Sequence, residues 1–490
     1  MKILIVTPEA LPFIKTGGLA DVIGALIDEY TKMRMTVSVI LPFYREIKKN
    51  ARAFGIKPTG REITVPLGES VEKGMIWEGK TTKGASAYFI ENDKFYDRDE
   101  LYGTPEGDFP DNASRFIFFA RGVLEALRVL KINIDIIHCN DWQTGLIPVY
   151  IKTIYRNIFP ETQTLLTIHN LGYQGIFWAP DMPLTGLGWE MFNIEALEFY
   201  GKINFLKGGI IFADIINTVS ENYAKEILTE EYGFGLDGVL RKRGKDLYGI
   251  SNGIDYNEWN PEKDRLIPTR YSRKALSGKA ICKSALQKAC GFSQDRSLLI
   301  GMVTRFSAQK GLDIVADAME GIINMGAQVV ILGKGDEPFQ RIFLELQEKY
   351  PRQLSVTIGF DNTLAHRIYA GSDIFLMPSR YEPCGLGQLI AMRYGTIPVG
   401  RKVGGLADTI IPYDPSKGRG TGFLFEDYSR DELLKTVKNA ITLFNDKRHW
   451  LKIRRNAMSE DFSWRKSAER YISLYKKALE KTINPGLNNE

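Results

Sequence analysis

Short apolar runs rich in Ile, Val and Leu separate longer stretches of helical periodicity along the first half of the chain, at residues 3–6, 37–41, 134–138, 164–168 and 215–219. A strand with one solvated face alternates apolar and polar residues, whereas these runs are apolar throughout, so they predict parallel strands buried on both faces. The series restarts at 298–303, 329–332, 354–358, 374–377 and 397–399, again alternating with helical patterns. Each series predicts a doubly wound α/β sheet, and two in tandem predict two Rossmann-like domains, 1–250 and 251–460. The boundary falls at the turn signal Asn252-Gly253-Ile254-Asp255. An amphipathic stretch carrying Phe462, Trp464 and Tyr471 opens a last segment, 461–490, which reads as a helix able to pack on either domain.

The chain has 490 residues, more than one hydrophobic core normally supports, which agrees with two domains. Charged residues make up 25% and the net charge is only +5, with no long basic run, so nucleic acid is not the expected partner. Four cysteines without a CxxC pair fit a reducing, cytoplasmic compartment. Pro8, Glu9 and Pro12 break the first apolar run, so no signal peptide is read there, and no run of about 18 apolar residues predicts a membrane span.

Candidate chemistry gathers in the loops after predicted strands, where open α/β sheets bind ligands. After the first strand comes Lys15-Thr16-Gly17-Gly18-Leu19-Ala20-Asp21, whose glycines allow close backbone approach and whose helix start turns N–H groups toward an anion. A diphosphate fits there, with Lys15 as a point charge; a Gly-Gly turn beside a solvated lysine has the same sequence. This loop carries neither a Walker sequence nor a GxGxxG fingerprint. The motif recurs as Lys402-Val403-Gly404-Gly405-Leu406-Ala407-Asp408, which predicts the same local geometry twice.

In the second half, Arg305 and Lys310 lie five residues apart in one loop, a pair suited to charge developing on a departing diphosphate, or an ordinary charged surface turn. Glu382-Pro383-Cys384-Gly385-Leu386 precedes a helix expected near Leu386; Glu382 reads either as a ligand for sugar hydroxyls or as a helix cap. Asp141 and His169 follow neighbouring strand patterns of the first series and can converge, although His169, one of four histidines, equally reads as a packed core imidazole. Cys384 has no histidine in its loop and is not read as a nucleophile.

Taken in order, the Lys15–Asp21 motif, Asp141-Trp142, His169-Asn170, Asn252 to Asp255, Arg305 to Gly311 and Glu382 to Leu386 resemble the bacterial glycogen synthase and plant starch synthase family over nearly the whole chain. The resemblance implies a GT-B fold, two Rossmann-like domains facing each other across a cleft, with the last helix crossing back onto the first domain. It implies a retaining transferase that moves glucose from ADP-glucose to the end of an α-1,4-glucan, without cofactor or metal and without nucleic-acid or membrane partners. No motif speaks to oligomeric state. By matching position, Glu382, His169, Asp141, Arg305 and Lys310 are the implied catalytic groups. Lys15, Gly17, Gly18, Asp21, Asn252, Phe360, Cys384, Gly385 and Leu386 are the implied donor contacts. Tyr96 and Asn112, within 95–116, are implied on the acceptor side. Phe360 stands where the family often carries tyrosine near the adenine, and Gly387 where it often carries threonine. Another GT-B enzyme using UDP-glucose and a small sugar acceptor, or a non-catalytic glucan-binding protein, are the alternative readings.

Overall fold

The computed structural model describes residues 1–104 and 106–483. The end of the expected 461–490 segment, residues 484–490, lies outside the described residues. The chain divides into two compact units. One comprises Met1–Val219, Ala224–Ile250 and the chain from Trp464; the other comprises Ser220–Tyr223 and Ser251–Ser463.

The first unit is built on a nine-stranded sheet. Its strands in chain order are β1 (Lys2–Val6), β2 (Thr36–Pro42), β3 (Lys57–Leu67), β4 (Ser70–Lys80), β5 (Ser86–Glu91), β6 (Ile136–Asn140), β7 (Gln163–Ile168), β8 (Ile215–Thr218) and β9 (Leu247–Gly249). Their spatial order is β9-β8-β7-β6-β1-β2-β5-β4-β3. From β9 to β5 every pairing is parallel. The edge formed by β4 and β3 is antiparallel, so this sheet is mixed and departs from the all-parallel expectation. The reason is visible in β3: Ile63, Val65 and Leu67 are buried while the alternating Glu62, Thr64 and Pro66 are exposed. Strict alternation of this kind marks a strand covered on one face, which leaves no continuous apolar run in the sequence.

The central strands occur where the apolar runs predict them, with one shift. Residues 134–138 were the expected span, and β6 runs from Ile136 to Asn140 because His138, Cys139 and Asn140 continue the ladder against Leu165, Leu166 and Thr167. Adjacent strands β1, β6 and β7 therefore end side by side. The loop beginning at Thr7, the Asp141 turn and His169 all leave the same edge of the sheet.

The helix α1 (Gly18–Lys32) follows the first loop and α2 (Asn112–Leu130) covers the sheet, with Phe116, Phe118 and Phe119 fully buried. The terminal helix Trp464–Ile483 packs on this unit. Its Tyr475 hydroxyl lies 2.8 Å from Nδ1 of the buried His138 and 3.0 Å from the Tyr30 hydroxyl of α1.

The second unit has a six-stranded, wholly parallel sheet. Its strands are β10 (Leu299–Val303), β11 (Gln328–Gly333), β12 (Leu354–Ile358), β13 (Ile374–Met377), β14 (Ile397–Arg401) and β15 (Phe423–Phe425), in the order β12-β11-β10-β13-β14-β15. The loops carrying Arg305, Glu382 and Lys402 leave neighbouring strands β10, β13 and β14. The switch between β10 and β13 is where the winding reverses, the position at which open α/β sheets bind ligands.

Candidate active site

In the first unit the loop after β1 is organised by a carboxylate. Glu9 Oε2 accepts the backbone N–H of Thr16 at 2.5 Å and of Gly17 at 3.3 Å, and Glu9 Oε1 accepts the Thr16 and Tyr102 hydroxyls, each at 2.7 Å. Glu9 is buried. Gly17 then serves as the N-cap of α1 without a side-chain cap of its own. Lys15 reaches over this helix start and pairs with Asp21 at 2.7 Å, both partly exposed. Burial raises the Asp21 carboxyl above its usual range, Lys15 draws it back, and the nearby Glu9 charge raises it further.

Asp141 begins the turn after β6 with φ of 57°, a left-handed conformation uncommon for a residue with a side chain. Its Oδ1 accepts the His169 N–H at 2.7 Å, which fixes the loop after β7. Desolvation pushes the Asp141 carboxyl up to about 7 against those backbone hydrogen bonds, and the Glu9 charge adds to the rise. The His169 imidazole is held down to about 3 by burial, so it is neutral at physiological pH.

The tautomer of His169 follows from its neighbour. Asn140 donates its amide to Val6 O at 3.1 Å and to His138 O at 3.3 Å, so its Oδ1 is an acceptor. His169 Nε2 lies 2.9 Å from that Oδ1 and must carry the proton. Nδ1 is left as the lone-pair nitrogen, an acceptor for a hydroxyl.

In the second unit Lys310 Nζ lies 2.9 and 2.6 Å from the two oxygens of Glu382. The Ser379 hydroxyl donates to Glu382 Oε2 at 2.8 Å. The two loops are stitched through the main chain as well, with Arg380 N–H donating to Gln309 O at 2.9 Å. Lys310 is therefore not a free cation: two of its three N–H groups serve Glu382. Arg305 is exposed and makes no ion pair among the described residues.

The Cys384-Gly385-Leu386 turn is rigid. Gly385 adopts φ of 70°, and the buried Gln388 amide donates to Cys384 O at 2.9 Å and to Gly385 O at 3.1 Å. Burial pushes the Cys384 thiol up to about 12, so it is no nucleophile. Asn252 hydrogen-bonds Cys384, while its buried Oδ1 has no partner, an open acceptor beside the turn.

The repeated Gly-Gly motif occupies two helix starts with different geometry. The helix α3 (Gly404–Thr409) begins at the first glycine of its copy, whereas α1 begins at the second. Gly404 has φ of 43°, and Gly405 N–H donates to Glu382 O at 3.0 Å. A Cβ on Gly404 would stand 1.9 Å from Glu382 O and one on Gly405 2.0 Å from Cys384 O. The second copy is a buttress behind the Glu382 turn. Its Lys402 pairs away, with Glu426.

Other expected contacts are placed differently from one another. Phe360, after the edge strand β12, is 87% exposed and presents an open ring face. Tyr96 and Asn112 are buried and spend their polar atoms on protein. The Tyr96 hydroxyl donates to Arg115 O at 3.0 Å, and Asn112 bridges Tyr102 O and the Arg115 guanidinium at 2.8 and 2.7 Å. They brace segment 95–116. Gly387 is accounted for by packing, since a Cβ there would meet the Phe375 ring at 2.7 Å. Tyr102 lies in the 95–116 segment that the resemblance places on the acceptor side, whereas Glu9 is not among the candidate site residues; its available signal is an acid set between two prolines, a few residues before a glycine-rich helix start.

Residues 2–242 match the family model described as the starch synthase catalytic domain, and residues 287–457 match that of glycosyl transferases group 1. The chain is 47% identical to a glycogen synthase of Thermodesulfovibrio yellowstonii, covering 97% of both chains. It is 48% identical to a glycogen synthase of Thermosipho melanesiensis, over 99% of this chain and 100% of that one. Among solved structures, the catalytic domain of starch synthase IV from Arabidopsis thaliana, bound to ADP and acarbose, matches with a TM-score of 0.88 at 32% identity over 98% of this chain and 99% of that one. Sucrose-phosphate synthase from Thermosynechococcus elongatus matches at a TM-score of 0.60 and 16% identity, a likeness of fold alone, covering 97% of this chain and 98% of that one. With relatives of this identity along its whole length and two Rossmann-like units of the GT-B class, the chain belongs to the glycogen synthase and starch synthase family of glycosyltransferases.

Proposed function

We propose that this protein transfers glucose from ADP-glucose to the non-reducing end of an α-1,4-glucan with retention of configuration. The observation that carries the reading is the buried Glu382 carboxylate, held by Lys310 and Ser379 at the end of β13 beside the open acceptor of Asn252. A carboxylate already committed to a lysine is suited to orient sugar hydroxyls and poorly suited to attack carbon. Arg305, with no ion pair, and the third N–H of Lys310 are the donors for the diphosphate, and their charge strengthens the interaction as negative charge grows on the leaving oxygen. In the first unit, Lys15 and the N–H groups at the start of α1 offer a cation and donors suited to a diphosphate. The exposed Phe360 ring offers a stacking face to adenine.

The step is a displacement on one face of the sugar. The acceptor 4-hydroxyl forms the new bond to the anomeric carbon on the side from which ADP departs, the bond to the phosphate oxygen breaks, and that oxygen takes the hydroxyl proton. No metal enters the scheme, because the cations are side chains. His169 Nδ1, a lone-pair nitrogen, accepts from a glucose hydroxyl, and Asp141 holds the His169 loop in place. The starch synthase IV relative is bound to ADP and acarbose, which supports a donor with an ADP leaving group and a saccharide acceptor.

The test is incubation with radiolabelled ADP-glucose or UDP-glucose and either glycogen or a soluble sugar, followed by digestion with an enzyme specific for α-1,4 linkages. Label in glycogen, dependent on ADP-glucose and released by that digestion, is the expected result. Transfer from UDP-glucose alone to a small sugar would replace the reading with the other GT-B chemistry, and binding of glycogen without any transfer would leave a binding protein.

A further inference from the structure

Glu9 belongs to none of the groups that the proposed reaction uses, yet it is the most heavily bonded carboxylate at the edge of the first sheet. Its two oxygens accept four hydrogen bonds, from Thr16 N–H, Gly17 N–H, the Thr16 hydroxyl and the Tyr102 hydroxyl. A carboxylate has about four lone-pair sites, so Glu9 is saturated and has nothing left for a substrate. No lysine, arginine or histidine forms an ion pair with it among the described residues, so these four donors and the start of α1 are what stabilise its buried charge.

The four donors come from two separate places. Three belong to residues 16 and 17, on the loop that presents Lys15 and Gly18. The fourth comes from Tyr102, in a region braced by hydrogen bonds among Phe95, Tyr96, Asn112 and Arg115. Because Thr16 Oγ1 and Tyr102 share the same oxygen, Oε1, a displacement of Tyr102 changes the field on the atom that also holds Thr16. Asp21 and Asp141 feel the same charge.

Resting on the donor and acceptor reading above, we propose that Glu9 is a positioning residue that couples the acceptor-side segment, through the Tyr102 hydroxyl, to the Thr16-Gly17 backbone that orients Lys15 and the start of α1 toward the diphosphate. Glu9 makes no bond to either substrate. It transmits whether the Tyr102 segment is seated to whether the phosphate loop is ordered.

Two conservative variants of the full-length protein test this, read by amide hydrogen exchange of the peptide spanning residues 13–22, by ADP affinity, and by separate KM and kcat values. Tyr102→Phe removes one hydroxyl and no volume from the core. It is expected to speed exchange at residues 16 and 17 several-fold and to raise the glucan KM while kcat falls less than twofold. Glu9→Gln must turn an NH2 toward donors it cannot accept from, and is expected to weaken ADP binding about tenfold, as loss of charge-assisted hydrogen bonds does. In the double variant the effect of Tyr102→Phe on glucan KM should vanish, because its route runs through Glu9. Unchanged exchange at residues 16 and 17 in Tyr102→Phe, wild-type ADP affinity in Glu9→Gln, or simple additivity in the double variant each overturns the proposal. The exchange measurement needs no substrate, so it decides the coupling even if the wild-type protein binds no ADP, a result that would instead remove the donor reading.

Discussion

The Lys310 ammonium sits 2.6 Å from one oxygen of Glu382 and 2.9 Å from the other, and both side chains are largely out of solvent, with 17% and 6% of their surfaces accessible. Sequence reasoning assigns Lys310 to the leaving group and Glu382 to the sugar, as independent groups. The ion pair joins them. In the proposed reaction Lys310 meets a phosphate as a cation already oriented by Glu382, and Glu382 meets a sugar as a carboxylate already paired with Lys310.

That pairing predicts how stability and turnover separate. Lys310→Met leaves a buried carboxylate with only Ser379 as side-chain donor, which costs about 3 kcal/mol, in the range measured when one partner of a buried pair is removed. Adding Glu382→Gln removes the stranded charge, so the double variant should regain most of that stability. Turnover should fall by about a hundredfold or more in both and should not recover. Thermal melts and steady-state kinetics on the three proteins check it; recovery of activity together with stability would remove both residues from the chemistry.

How much of this was legible beforehand depends on what kind of signal each element leaves. The parallel strands β1, β6, β7 and β10 to β14 stand out because a strand buried on both faces must be apolar at successive positions. The β3 and β4 hairpin was hidden by its solvated face, and its two-residue turn at Gly68-Glu69 is brief. At the candidate site, Arg305 and Glu382 carried a signal in their residue type and in their place after a strand. Glu9 did not, because its role comes from four donors up to 93 residues away in sequence. Tyr96 and Asn112 show the converse: polar types in a segment matched by resemblance, yet buried and bonded to protein.

The two copies of the Gly-Gly motif predict opposite responses to one methyl group. At Gly17, φ is −150° and an added Cβ would meet nothing within 4 Å, so Gly17→Ala should fold and melt like the wild type. Any rise in the donor KM then reports directly on how closely a ligand approaches that backbone. At Gly405 the same methyl would stand 2.0 Å from Cys384 O, a main-chain atom, and the Glu382 turn must shift to admit it. Gly405→Ala should lose turnover at least tenfold and lower the melting temperature. Equal effects at the two positions would mean that the second copy is not a buttress.

The pH dependence of stability carries a signature of the first unit's edge. Burial holds His138 and His169 near 3, below the ordinary histidine value, so both stay neutral in the folded chain while the unfolded chain takes up their protons below about pH 6.5. Stability from this source is present above that pH and is lost as pH falls. Asp141, held at about 7, has the opposite sign: the folded chain binds its proton through a range in which the unfolded carboxyl, near 3.8, does not. Between about pH 5 and 6 the unfolded state therefore approaches two extra protons and the folded state one, and the difference of about one proton makes stability fall by about 1.4 kcal/mol per pH unit on acidification. Asp141→Asn removes the compensating proton, so the slope from these three groups should rise to about 2.7 kcal/mol per unit. Asparagine keeps an oxygen to accept the His169 N–H, so the loop should hold. Urea unfolding of wild type and Asp141→Asn across this window measures the difference of slopes, in which contributions from all other groups cancel. Parallel slopes would mean that Asp141 is ionised in the folded protein and that its carboxylate, not its acid, faces the His169 loop.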